Sequence, residues 1–233
     1  MNMTRRDFLG ASATVLASTA IGSPIRSSIG GRMEYHEGDT RLYDSEVEYL
    51  ESTGTQWINT GVLVSDDVLI DCSFELLASG NVTIAGGRYA TNRNSLGIWA
   101  YTNPSGRIRF DLEGSTDGGG GVSTVQTKLG KEYQVSKIGR RNFVDGVEVT
   151  SNNQVTNYTP KYPFYLFAMN TGGTASFIGH LRIKRFSISG LLNMLPVRFT
   201  NEDGVSEGAM YDCVSGLLFR NQGTGSFVIG PDV

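Results

Sequence analysis

The chain has 233 residues, with 20 Lys or Arg against 23 Asp or Glu, and its formal net charge of −3 includes no basic cluster. This length suits one large all-β domain or two small domains, and the charge argues against a nucleic-acid backbone or an anionic membrane surface as partner. Two cysteines and two histidines are too few for a usual zinc or iron site. Glycine, at 30 residues against 6 prolines, favours many tight turns between short strands.

The first twenty residues have the pattern of an export signal. Residues 4–10 read Thr-Arg-Arg-Asp-Phe-Leu-Gly, and a mild apolar stretch follows over 11–21. That stretch is too short and too weakly apolar for a stable membrane span. The arrangement resembles a twin-arginine (Tat) signal peptide, although Gly10 stands where lysine is common. It implies cleavage after Ala20 and an exported protein, whether periplasmic, cell-surface or secreted; the alternative is a short amphipathic helix that stays attached.

The remaining chain divides into a linker and a folded domain. Residues 21–45 are polar and contain glycine without an apolar period, which predicts a flexible linker. From 46 to 233 apolar residues alternate with polar ones, which predicts strands and no sustained helix. The alternation is clear at 68–76, where Cys72 belongs to the set expected to face the core. At 107–113 the expected inner set is Ile108, Phe110 and Leu112.

Three local features of the strand pattern make specific predictions. Residues 164–169 are apolar at every position, which predicts a central strand covered on both sides. The inward set changes phase at Lys184-Arg185, which predicts a β-bulge. Asp145-Gly146 lies between two short runs and predicts a two-residue hairpin with positive φ angles. About a dozen short strands with one apolar face each imply an all-β fold, in which two antiparallel sheets form a β-sandwich.

Two segments carry a resemblance to a known family. Residues 47–61 read Val-Glu-Tyr-Leu-Glu-Ser-Thr-Gly-Thr-Gln-Trp-Ile-Asn-Thr-Gly, and the C-terminal part contains Leu-Pro-Val-Arg at 195–198 and Met-Tyr-Asp-Cys-Val-Ser-Gly at 210–216. These segments resemble the opening and closing parts of laminin-G-like, concanavalin A-like jelly-roll domains of exported bacterial and phage-borne proteins. The resemblance covers 46–233 and implies a curved jelly roll whose concave sheet often binds glycans. Because the family includes lectins, glycanases and adhesins, it implies no single activity.

The candidate binding residues lie mainly on two predicted neighbouring strands, 97–101 and 107–113. Their non-core faces carry aromatic side chains on the first strand and charged side chains on the second, and a hairpin would place both on one surface. Aromatic rings pack against the C–H faces of sugars, and charged groups bind sugar hydroxyls. The structural alternative is that the rings pack under a loop and the charges form an ordinary ion pair. The predicted ligand-binding set is Arg88, Tyr89, Trp99, Tyr101, Arg107, Arg109, Asp111 and Glu113.

Catalysis is not expected from this sequence. Asp111 and Glu113, two residues apart on a strand, fit the carboxyl separation that glycosidases use. Glycanases of the resembled fold, however, carry Glu-x-Asp-x-x-Glu, and residues 109–114 lack both the leading Glu and the spacing. A nucleophilic triad is not expected either, since His36 lies in the linker and no Gly-x-Ser-x-Gly occurs. His180, at the start of a predicted strand, is expected at the surface.

No cofactor is expected, although relatives in the resembled family hold calcium at sheet rims. The candidate ligands are Asp66, Asp67, Asp111 and Asp117, but they show no EF-hand-like spacing. Solvated turn carboxylates are the alternative for these residues.

The two cysteines would meet an oxidising environment if the chain is exported. A disulfide between Cys72 and Cys213 and a pair of buried free thiols both remain open, because only a short Cα separation permits the bond. The sequence therefore predicts an exported, non-catalytic, lectin-like module whose partner is a glycan or another cell-surface ligand. A structural or adhesive module that binds a protein partner is the first alternative, and a divergent glycoside hydrolase is the second.

Overall fold

The computed structural model describes residues 42–91, 93–101, 106–114, 121–151 and 157–233. These residues form strands and turns, with no helix among them. No helix in the described ranges is therefore long and apolar enough to cross a membrane. The predicted signal peptide at 1–20 and most of the predicted linker at 21–45 lie outside the described residues, so both stay predictions.

The described part of the chain forms nineteen strands, several of them only two or three residues long. In chain order they are β1 (Ser45–Glu46), β2 (Leu50–Thr53), β3 (Ile58–Asn59), β4 (Leu69–Leu76), β5 (Asn81–Ala90), β6 (Arg93–Tyr101), β7 (Arg107–Glu113), β8 (Gly121–Gln126), β9 (Glu132–Ile138), β10 (Arg141–Val144), β11 (Val147–Ser151), β12 (Tyr165–Leu166), β13 (Met169–Thr171), β14 (Thr174–Ser176), β15 (His180–Ile188), β16 (Leu192–Thr200), β17 (Ser206–Asp212), β18 (Leu217–Phe219) and β19 (Val228–Ile229).

Two sheets contain all of these strands. The larger sheet has eleven strands in the main order β11-β10-β9-β4-β15-β16-β17-β18, with β1 beside β16 and with β2 beside β15 and β19. The smaller sheet has eight strands in the main order β14-β13-β5-β6-β7-β8, and β12 pairs with both β3 and β5. Among the described strands, β13 and β5 pair in parallel and the other pairs are antiparallel. The all-β, two-sheet sandwich is as predicted.

One apolar core lies between the sheets. In β4, Cys72 and the other three inward residues are fully buried. The same cluster includes Ile108, Phe110 and Leu112 of β7, on the opposite sheet. Both predicted inward sets are thereby confirmed, and each fully buried large apolar side chain contributes about 1.5–3 kcal/mol of transfer free energy.

The predicted bulge and hairpin are both present. The register of β15 against β4 shifts between Ile183 and Arg185, which restores the inward set after one extra residue. Asp145 and Gly146 connect β10 to β11 with φ angles of 50° and 77°. Positive φ at both positions matches the right-handed twist of the flanking strands.

The expected central strand at 164–169 is buried throughout but is not one strand. β12 ends at Leu166, Phe167 has a φ of 65°, and β13 begins at Met169. β12 pairs antiparallel to β5, whereas β13 pairs parallel to it, and both meet it at Gly86. The reversal at Phe167 was not predicted, because an unbroken apolar run carries no turn signal.

The Cys72–Cys213 disulfide does not form. Both thiols are free, with Cys72 buried and Cys213 exposed, so the alternative of two buried thiols is also only half right. Across the larger sheet, Cys72 of β4 lies opposite Phe186 of β15, which lies opposite Met194 of β16. Met194 in turn lies opposite Asp212 of β17, the neighbour of Cys213. Three strand spacings make about 14 Å, whereas a disulfide needs Cα atoms within about 7 Å.

Candidate functional site

The outer face of the smaller sheet, turned away from the core, carries the predicted polar residues. Along β6, Ile98 and Ala100 belong to the core cluster. Trp99 lies between them in sequence, so its side chain is on the outer face. It pairs across the sheet with Arg109 of β7. The sequence was therefore correct about which face these two side chains share.

Two further cross-strand rows complete this face. Arg88 of β5 pairs with Ser95 of β6, which pairs in turn with Glu113 of β7. In the neighbouring row, Gly86 pairs with Gly97, and Gly97 pairs with Asp111. Directly paired residues lie within about 5.5 Å, so the three strands bring two arginines and two carboxylates together.

The two glycines create the space in which the Met169 side chain packs. A Cβ atom built at Gly86 or at Gly97 would lie 2.6 Å from Cε of Met169. A Cβ at Gly97 would also lie 3.3 Å from Nε1 of Trp99. Met169 is fully buried. Glycine at both positions therefore lets the Met169 side chain lie directly against the sheet beside the Trp99 ring.

Arg109 joins the two carboxylates. Its Nε contacts a carboxylate oxygen of Asp111, and its Nη2 lies 3.4 Å from Oε1 of Glu113. The side chain of Trp99 also lowers the pKa of the Asp111 carboxyl group. On the other side, Nε of Arg88 donates to Oγ1 of Thr171 at 2.9 Å. We call Arg88, Trp99, Arg109, Asp111 and Glu113 the charged cluster.

Burial raises the pKa of both carboxyl groups in the charged cluster. The pKa of Asp111 rises to about 6, because desolvation outweighs the lowering effects of Arg109, Arg88 and Trp99. The pKa of Glu113 rises to about 7, from desolvation and then from the nearby Asp111 charge, against the two arginines. Both pKa values therefore lie closer to neutrality than those of ordinary carboxyl groups, and the Asp111 charge contributes to the rise at Glu113.

The prediction that the Trp99 ring lies on a surface open to a ligand is wrong, and the alternative that this ring packs under another segment is the arrangement found. The Trp99 side chain is only 3% exposed, although it does not lie between the sheets. The Phe177 ring packs edge-on against it, with centroids 5.0 Å apart and planes at 69°. The carboxyl residues beside it are also covered, since Asp111 is 4% exposed and Glu113 is 3% exposed. Phe177, directly after β14, thus covers the Trp99 ring, which strand alternation alone places in solvent.

Phe177 is the main site residue that the sequence did not reveal. It is 46% exposed and has a φ of 52°, which is rare for a bulky residue and costs roughly 1–3 kcal/mol. The guanidinium carbon of Arg88 lies 5.3 Å from its ring centroid and 5.6 Å from that of Trp99. No local pattern singles Phe177 out, because its place above Trp99 depends on the pairing of β13 with β5 and on the hydrogen bond from the Thr83 N–H to the Phe177 carbonyl.

The other predicted site residues lie near the ends of β5 and β7 or beyond what is described. Tyr89 is 51% exposed, and its ring stacks with that of Tyr162 at a centroid distance of 6.3 Å. Arg107 is exposed at the start of β7. The side chain of Tyr101 lies outside the described residues. His180 begins β15 at the surface, as predicted, with Nε2 3.3 Å from Glu51.

The described residues contain no group of three or more His, Cys, Asp or Glu that could hold a metal ion. Of the candidate calcium ligands, Asp66 accepts hydrogen bonds from Nε and Nη2 of Arg140 at 3.2 and 3.0 Å. Asp111 is paired with Arg109, and Asp117 lies outside the described residues. Asp66 and Asp111 therefore already face cationic side chains, which disfavours a calcium ion at the same oxygens. Asp67 accepts a hydrogen bond from the hydroxyl of Ser65.

A cavity of about 210 Å³ lies away from the charged cluster. Asn201 already donates to the Glu207 carboxylate there at 2.6 Å, and Asn221 donates to the carbonyl of Gly225 at 2.7 Å. Its polar side chains thus hold neighbouring loops together, so we regard the charged cluster as the stronger candidate site. The cavity is lined by Glu207, Gly208, Asn221, Gly223, Gly225, Ser226 and Phe227.

Comparisons with known proteins give little further information. No protein-family model and no curated protein sequence matches the chain. Among solved structures, tailspike protein 2 of Escherichia coli O157:H7 bacteriophage CAB120 is similar over 67% of this chain, with 11% sequence identity and a TM-score of 0.35. The match spans 27% of the tailspike chain. A likeness at this level carries no argument about function.

Proposed function

We propose that the protein is an exported, non-catalytic carbohydrate-binding module of the concanavalin A-like jelly-roll type. One observation carries the binding part of this proposal. Among the large apolar side chains that the structure describes as exposed, Tyr89 and Phe177 are the aromatic ones. Tyr89 directly follows Arg88 in β5, and Phe177 lies over Arg88 and Trp99. Phe177 therefore borders the charged cluster, whereas strand alternation turns Tyr89 to the opposite face of the sheet, where it stacks with Tyr162.

This combination suits a sugar better than it suits a flat protein contact. An exposed ring offers a face for sugar C–H groups, and charged side chains beside it offer hydrogen-bond partners for hydroxyls. The Phe177 ring is held from below by Trp99 and Arg88. Little side-chain entropy would therefore be lost on binding, which favours affinity from a small contact area. The export part of the proposal depends on the arginine pair in residues 4–10.

The same geometry favours binding over hydrolysis. A glycosidase must present its carboxyl groups to the substrate, whereas Asp111 and Glu113 are covered and contact Arg109. A raised pKa alone suits a general acid, but burial with an arginine partner equally produces it. We expect purified protein to release no reducing sugar from any glycan that it binds. Such release, abolished by Asp111→Asn or Glu113→Gln, would replace binding by hydrolysis as the function.

A glycan array probed with the full chain tests the binding proposal. We expect binding to a defined set of glycans, and we expect Phe177→Ala to abolish it. Phe143→Ala is the matched control, because Phe143 is a half-buried ring beneath Arg141 on the larger sheet, at 5.1 Å from the guanidinium carbon. An array without specific binding, or equal binding by the two variants, would refute the proposed surface.

A further inference from the structure

The part of the charged cluster that reaches solvent is cationic and lies near an aromatic ring. The Arg109 side chain is 30% exposed, whereas Asp111 and Glu113 beside it are almost fully covered. Phe177, whose ring packs against Trp99, the cross-strand partner of Arg109, is 46% exposed. A ligand that approaches this face therefore meets a guanidinium group and a ring before it meets either carboxylate.

We infer that the ligand is an acidic glycan, in which a sugar carboxylate pairs with Arg109 while a sugar ring packs on Phe177. This inference rests on the proposed carbohydrate binding and names the class of glycan. Arginine suits a carboxylate because its planar guanidinium can donate two parallel hydrogen bonds. A cationic ligand is disfavoured, since it would meet Arg109 before it could reach the buried carboxylates.

Charge balance in the cluster makes this binding depend on pH. The groups that face one another are Arg88 from β5, Trp99 from β6, and Arg109, Asp111 and Glu113 from β7. When both carboxyl groups are ionised, they balance the two arginines. When either takes up a proton, the cluster becomes positive. A sugar carboxylate with an ordinary pKa of about 4 remains ionised under those conditions, so its affinity rises as the pH falls from 8 towards 6.

Matched pairs of acidic and neutral glycans test the inference without any change to the protein. We would titrate the full chain by calorimetry with oligogalacturonate and its methyl ester, and with sialyllactose and lactose, at pH 6 and pH 8. We expect the acidic member of at least one pair to bind about tenfold more tightly at pH 6, as one charge-assisted hydrogen bond allows. The ratio between the affinities for the acidic and the neutral member should be smaller at pH 8.

Variants assign the effect to the cluster. Arg109→Gln should remove the preference for the acidic member, whereas Arg141→Gln, at an exposed arginine on β10 of the larger sheet, should keep it. The double variant Asp111→Asn, Glu113→Gln should bind the acidic member equally at both pH values. If Arg109→Gln does not fold, Arg109→Lys and the pH dependence of the unmodified chain still test the inference.

The possible failures are distinguishable. If the acidic and neutral members bind equally, or if only neutral glycans bind, the acidic-ligand inference is wrong and carbohydrate binding stands. If neither these pairs nor any glycan on the array binds, the proposed function itself fails, and the inference fails with it.

Discussion

The outer faces of the two sheets carry the same kinds of charged residue in opposite surroundings. On the larger sheet, Arg182 bridges Glu51 and Glu75, and Lys184 lies 2.6 Å from Glu132. These side chains are between 12% and 50% exposed, and pairing with Lys184 lowers the pKa of Glu132. On the smaller sheet, the charged cluster is covered, and its two carboxyl groups have raised pKa values.

The difference shows which of the two sets of charged residues requires a functional explanation. Exposed pairs in water contribute roughly 0–1 kcal/mol and cost little to assemble. Buried charges must offset a desolvation penalty of several kcal/mol, so an apolar replacement is often as stable. The larger-sheet pairs are explained by solubility and modest pairing, whereas the charged cluster is better explained by a ligand.

Replacement of one cationic side chain on each face should give the largest difference in stability between the two faces. We expect Arg109→Ala to lower the free energy of unfolding by about 3–5 kcal/mol at pH 8, because two buried carboxylates lose their shared partner. The loss should be smaller at pH 5, where those carboxyl groups are protonated. Lys184→Ala should cost about 1 kcal/mol or less at both pH values. Urea unfolding of each variant measures this, and equal losses would show that burial does not distinguish the two sets.

The stability of the folded chain should also respond to pH with opposite sign on the two faces. Asp111 and Glu113 have folded-state pKa values above their unfolded values, so their contribution is full below pH 4 and is lost as the pH rises through about 6 and 7. For Asp111 the loss is on the order of 3 kcal/mol. Glu132, with its lowered pKa, contributes above its unfolded value and loses that contribution as the pH falls.

The double variant Asp111→Asn, Glu113→Gln should therefore remove part of the decline in stability between about pH 4 and pH 7. Glu132→Gln should instead remove a smaller contribution that is lost below about pH 5. Unfolding free energies measured at several pH values decide between these outcomes. An unchanged pH profile in the double variant would mean that the two carboxyl groups are solvated in solution.

The sequence predicted the faces of the strands but not what covers them. Strict alternation placed Trp99, Arg109 and Asp111 opposite the core, because a side chain in a strand can point only to one face or the other. The same rule located the bulge at Lys184. Alternation says nothing about whether a second segment lies over the outer face, so it could not decide whether Trp99 is open or covered.

Trp99 is covered through contacts between residues that are far apart in the chain. Phe177 meets Trp99 only because β13 pairs in parallel with β5 after the reversal at Phe167. No glycine or proline marks the turn inside this apolar run. No sequence signal marks the parallel pairing either. Gly86 and Gly97 were the available signals, since a glycine within a strand often marks a close approach by another group.

That close approach can be tested directly. We expect Gly97→Ala to lower stability by about 1–3 kcal/mol, because its Cβ would lie 2.6 Å from Cε of Met169 and 3.3 Å from Nε1 of Trp99. The cost should shrink when Met169→Ala is also present, which a double-mutant cycle would record as a coupling energy above about 0.5 kcal/mol. Strictly additive losses would show that Met169 does not pack over this glycine.

The two cysteines should show the smallest effect on stability, although one thiol is buried and the other is exposed. Native protein should react with one equivalent of a thiol reagent, at the exposed Cys213, and with the second only after unfolding. Burial also raises the pKa of the Cys72 thiol well above its usual range, so little reactive thiolate forms there. Cys213→Ser should change stability by no more than about 0.5 kcal/mol. A large loss of stability in Cys213→Ser, or no labelling of the native protein under oxidising conditions, would mean that the Cys213 thiol has a partner. In that case β16 and β17 would not separate Cys213 from Cys72 as the register requires.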